Sequence, residues 1–79
     1  VDVIFTCSNL LANYLKTQPL HSSQKLTQNG AEFKVQMKVL ITFELLQWLQ
    51  GFSSEIQVLE PIILKEKLAD ILKSAAAKY

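Results

Sequence analysis

The sequence predicts a small α+β sandwich, a four-stranded antiparallel sheet covered by helices, and three observations predict it. Short apolar/polar alternations stand at Val1–Thr6, Lys25–Gln28, Glu32–Ile41 and Glu55–Leu59, the period of strands with one buried face. Helical spacing of apolar residues fills Asn9–Thr17, Phe43–Gln50 and Ile62–Lys78. Between the second and third alternations lies Asn29-Gly30, the strongest short signal for a hairpin, which makes those two strands antiparallel neighbours.

Each element has its own justification. In the first strand Val1, Val3 and Phe5 share one side and Asp2, Ile4 and Thr6 the other. Ser8 is placed to cap the first helix, whose Leu10, Leu11, Tyr14 and Leu15 recur at helical spacing until Pro19 forbids continuation. "QPLHSSQ" then reads as a connection. In the third strand Phe33, Val35, Met37, Val39 and Ile41 alternate with Lys34, Gln36, Lys38 and Leu40, which predicts one core face and one wet face. Thr42 caps the second helix, where Leu45, Trp48, Leu49 and Phe52 form the stripe and Gly51 is expected to supply a left-handed stop. Ile56 and Val58 point the fourth strand inward, and Pro61 opens the last helix, where its missing N–H goes unneeded.

The order is therefore β-α-β-β-α-β-α. Right-handed crossovers on the first six elements give a four-stranded antiparallel sheet with two helices on one face, the ferredoxin-like sandwich, here with a C-terminal helix added. On that last helix Leu64, Leu68, Ile71, Leu72 and Ala75 make one stripe, while Ile62 and Ile63 fall off it at 100° per residue. Two helices already cover one sheet face. The stripe is accordingly expected against the other face, over an apolar strip of Ile4, Leu40 and Leu59 beside Lys34, Gln36 and Lys38, or else against another subunit. Ile62, Ile63, Ile4, Leu40 and Leu59 are thus the candidate interface residues.

Composition bounds the function. Seventy-nine residues make one domain that buries roughly 60% of its unfolded surface, too little for a large enclosed active site. With 49% hydrophobic and 19% charged residues the chain should fold rather than stay disordered. No apolar run approaches the ~20 residues that span a bilayer, and the amino end lacks the zones of a signal peptide; the expected location is cytoplasmic. A net charge of +1, from eight Lys, no Arg and seven acids, sets up no strong field for phosphate backbones. Cys7 stands alone beside a single His21, so neither an internal disulfide nor a metal site is expected. The chain starts at Val1 and enters a strand at once, as a piece of a longer protein would.

The assembled residues resemble the WCX domain, the carboxyl-terminal extension of WYL-domain bacterial transcriptional regulators, nearly end to end. The resemblance is carried by the opening strand and helix ending in Tyr14-Leu15, "LHSSQ" at Leu20–Gln24, the "NG" hairpin, "ELLQWLQGF" at Glu44–Phe52, and "IQVLEPIILKEKLADIL" with a terminal Tyr79. The run Trp48-Leu49-x-Gly51-Phe52-x-x-x-Ile56-x-Val58-Leu59-Glu60-Pro61 is its most specific part. The resemblance implies a regulatory and dimerisation module of a longer regulator. A helix-turn-helix and a central WYL domain would lie upstream, and DNA would be contacted only through the former. It also implies a homodimer, or an intramolecular contact with the WYL domain, as the partner.

Three other classes are weighed against this reading. Catalysis could draw on Ser8, Ser22, Ser23, Cys7 and His21, but no nucleophile elbow or partnered acid accompanies them, so the domain is expected to be no enzyme and to need no cofactor. RNA-recognition domains share the β-α-β-β-α-β order and stack bases on sheet aromatics; here Phe5 and Phe33 align with the buried valines, leaving Lys34 and Lys38 as candidates for weak anion or nucleic-acid contact. ACT-like effector domains share the topology too and bind small molecules or nucleotides at a subunit boundary. Against a ligand box within one chain, Trp48 and Met37 sit at core spacing.

Overall fold

Segments that alternate apolar with polar residues can hide one face only by pairing side by side, and in the computed structural model, which describes residues 1–79, they do so. β1 (Asp2–Cys7), β2 (Lys25–Asn29), β3 (Glu32–Lys38) and β4 (Ile56–Glu60) lie in the order β2-β3-β1-β4, and every pairing is antiparallel. With α1 (Asn9–Thr17), α2 (Phe43–Gly51) and α3 (Ile62–Ala76) this is the ferredoxin-like arrangement plus a C-terminal helix. No helix is long and apolar enough to cross a membrane.

The register puts Phe5 between Val35 on β3 and Val58 on β4, and all three are buried. Val3 and Cys7 sit opposite Met37 and Phe33 on the same face. The β2–β3 loop is Gly30-Ala31, because Asn29 still pairs with Glu32. Positive φ occurs at Gly30 alone (65°), the type II′ arrangement, with glycine at the first loop position.

Both expected caps form: Leu11 N–H donates to Ser8 Oγ at 3.2 Å and Leu45 N–H to Thr42 Oγ1 at 3.1 Å. The buried faces are rotated from the expected stripes. α1 buries Leu11, Ala12 and Leu15 and leaves Leu10 and Tyr14 exposed, because fully buried Ala12 lets the helix lie close to the sheet where a larger side chain would lift it. Tyr14 instead meets Phe52, ring centroids 6.3 Å apart. α2 buries Leu46 with Leu49, and Leu45, Trp48 and Phe52 are half-buried around them. Gly51 is the last helical residue and has no positive φ; the helix stops through a turn in which Phe52 N–H donates to Leu49 C=O and Ser53 N–H to Gln50 C=O.

Two larger differences concern β3 and α3. β3 ends at Lys38 rather than Ile41. Val39 still exchanges both backbone hydrogen bonds with Val1, each 3.0 Å, and Leu40–Thr42 then leave the ladder toward α2. On the β2 side, Ser23 does with its hydroxyl what a strand would do with its backbone: its Oγ accepts from Lys38 N–H at 2.9 Å and lies 3.1 Å from Lys38 C=O.

α3 does not cross the open sheet face. Leu64 and Leu68 belong to the same core as Val58 and Leu49, so the helix lies beside α2 and along β4, with Ile71 half-buried and Ala75 exposed. The physical reason is the composition of the two places. Two nine-residue helices leave the β4 flank of the core uncovered, whereas the open face carries Asp2, Lys25, Lys34, Gln36, Lys38 and Gln57, whose desolvation under an apolar helix would be unfavourable.

Candidate interaction surface at one end of the sandwich

The strand directions gather most of the exposed large apolar residues at one end. β1 begins where β3 and β4 finish, since Asp2 pairs with Lys38 and Ile4 with Glu60. Val1, Leu40, Phe43, Leu59, Ile62 and Ile63 therefore flank the same end of the sheet, six of the ten exposed large hydrophobics; they form a location rather than a scatter. Leu40 is 80% exposed, Ile62 66% and Ile63 68%.

Of the candidate interface residues, four come together here. Ile62 and Ile63 project from the first turn of α3, off its buried Leu64/Leu68 line. Leu40 stands in the segment after β3 instead of on the outer face of that strand. Leu59 is the extra residue of a bulge, because Ile4 pairs with Glu60 while Phe5 pairs with Val58. A bulge bends its strand and breaks the alternation, which is why Leu59 does not join an apolar strip. Ile4 stays on the open face, half-buried among polar neighbours. The strip expected under the last helix does not form. Phe43, 69% exposed at the first position of α2, was not singled out by spacing; its only sequence signal is a large aromatic directly after the cap and off the Leu45/Leu49 line.

Lys34 and Lys38 are exposed on the open face. Lys34 pairs with Thr6 and Thr27, Lys38 with Asp2, and Lys25 stands opposite Gln36, so the lysines share that face with Asp2 and Glu60 and make no single-sign stripe. Phe5 and Phe33 are buried beneath it, which leaves no aromatic ring there for a base to stack on.

The hydroxyl, thiol and imidazole groups are spread over structural duties. His21 Nδ1 accepts from Ser23 N–H at 3.1 Å and lies 2.8 Å from Ser23 Oγ. That hydroxyl is engaged with the Lys38 backbone, and the ring is fixed by an amide rather than by a carboxylate, so the pair lacks the orienting acid of a nucleophile–base arrangement. Gln24 completes the loop, accepting from Leu20 N–H at 3.0 Å and donating to Leu15 C=O at 3.2 Å. Burial pushes the Cys7 thiol pKa up, away from the reactive thiolate. No three His, Cys, Asp or Glu side chains gather as metal ligands do.

Compared with known proteins, the chain matches the family model described as the WCX domain over residues 1–76. Among curated proteins none matches it.

Proposed function

This chain belongs to the WCX family, whose domains form part of WYL-type transcriptional regulators, and we propose that it acts there as a non-catalytic assembly and regulatory module. The observation that supports this reading is the apolar end formed by Val1, Leu40, Phe43, Leu59, Ile62 and Ile63. Exposed apolar area on this scale is stabilised by being covered. A second copy covering it would set two regulators in a fixed relation, as paired half-sites on DNA require. A neighbouring domain covering it would couple that domain's state to the same end. DNA contact belongs to the helix-turn-helix domain of such a regulator, since the sheet of this module offers neither a base-stacking platform nor a basic stripe.

Sedimentation of the chain over a range of concentrations tests the reading. Self-association that Ile62→Asp with Ile63→Asp abolishes, at unchanged circular dichroism, supports it. A chain that stays monomeric at the highest concentration refutes the homodimer and leaves the apolar end to a neighbouring domain.

A further inference from the structure

Between the first turn of α2 and the segment joining it to β3 lies a cleft in the surface. Val39, Leu40, Leu45 and Trp48 wall a cavity of about 460 Å³ whose floor reaches Met37. Small-molecule sites occupy roughly 300–1,000 Å³ and combine apolar walls with a few polar groups, and this cavity has both. Leu40 at the mouth is 80% exposed while Met37 beneath is 1% exposed, so the cleft opens to solvent at Leu40 and is floored by the buried layer. Its polar lining is His21, Thr42 and Glu44, and no Lys contributes. Glu44 therefore supplies the one formal negative charge of the lining without a cationic lining residue to balance it. His21 Nδ1 is taken by the Ser23 amide, which in the neutral ring leaves Nε2–H free to donate.

We propose that this cleft binds a small organic cation, an amine carried on an apolar or aromatic body. The body would replace water against Val39, Leu40 and Leu45. The ammonium would be held by the Glu44 carboxylate and by the π-face of Trp48, an arrangement that strengthens as water leaves. An anion of the same shape would meet Glu44 with no cation to offset the repulsion, so charge complementarity selects the amine. The inference does not depend on self-association, because every lining residue belongs to one chain.

Trp48 is the only tryptophan, so its fluorescence reports on the cleft directly. Phenethylamine, and hydrocinnamate as an anion of matching shape, are titrated into the chain, with amide resonances followed in parallel and sedimentation recorded at each end point. The amine should shift Trp48 emission and the resonances of residues 37–48 saturably, with hydrocinnamate weaker by about fivefold or more, the scale of one ion pair with a cation–π contact. Glu44→Gln, on the exposed side of α2, should fold normally and remove that preference. No saturable change up to about 10 mM amine, equal response to the anion, or a Glu44→Gln chain that keeps its preference would each overturn the assignment. So would a signal that tracks a change of oligomeric state, which would make the cleft part of a protein interface. A chain that stays monomeric yet binds the amine would instead refute the homodimer alone.

Discussion

The Trp48 ring centroid lies 6.3 Å from that of Phe5, with the ring planes tilted by 48°. Phe5 is fully buried in β1, whereas Trp48 is half-buried and also meets Phe52 at 4.6 Å. The tryptophan is thus a lid on the core rather than a member of its deepest layer. Trp48→Ala should destabilise by about 2–3 kcal/mol in urea melts, below the value for a fully buried aromatic because water can reach part of the space vacated. Trp48→Phe should recover most of it. A loss from Trp48→Ala under about 1 kcal/mol would mean that the contacts with Phe5 and Phe52 contribute little.

Ser23 Oγ stands in for a missing strand partner of Lys38. Its removal in Ser23→Ala should lower stability by about 1 kcal/mol and speed hydrogen exchange at the Lys38 amide, with little effect on Val35 deeper in the same ladder. An unchanged exchange rate at Lys38 would show that water replaces the hydroxyl without penalty.

Lys34 and Lys38 lie on the open face among polar partners. Replacing both with Gln should change stability by less than about 0.5 kcal/mol, and the unaltered chain should bind single-stranded DNA or RNA only weakly at physiological salt. Binding at about micromolar Kd or tighter that disappears in the double variant would make this face a nucleic-acid surface.

Leu68 and Ile62 occupy one helix with opposite fates, the first 6% exposed and the second 66%. Leu68→Asp should cost about 3 kcal/mol or more by burying an unpaired carboxylate and release α3 from β4 and α2. Ile62→Asp should leave the melt within about 0.5 kcal/mol of the unaltered chain. Equal losses would place Ile62 in the core.

Cys7 gives a pH dependence with a definite sign. Burial raises its thiol pKa in the folded chain, so on raising pH the unfolded chain loses its proton first. The stability that this contributes is complete below the ordinary thiol pKa and is lost as pH rises through the folded value. Urea midpoints should therefore fall on the alkaline side, and Cys7→Ala should flatten the decline while lowering stability at neutral pH. A decline as steep in Cys7→Ala as in the unaltered chain would assign it to other groups.

Element order, strand phase, both helix caps and the antiparallel hairpin were legible in the sequence, because each depends on spacing within a few residues. The alternation of Val3, Phe5, Val35 and Met37 against Ile4, Lys34 and Gln36 left one face for the core, and Ser8 and Thr42 had their orphan N–H groups three residues away. Placing Ile62 and Ile63 off the buried line of the last helix needed only the helical repeat.

Tertiary structure alone decided what depends on residues far apart in the chain. β3 stops at Lys38 and the chain turns through Leu40–Thr42 into α2, which moves Leu40 from a sheet face to the rim of a cavity. Ala12 and Leu46, not Tyr14 and Leu45, line the core because the tilt of each helix follows the surface it meets. α3 lies beside α2 because the flank at Val58 and Leu49 is apolar while the open face is charged, a comparison of two surfaces that exist only once the sheet has formed. A helical period fixes which residues share a side; which surface that side meets is set by the area other elements leave exposed.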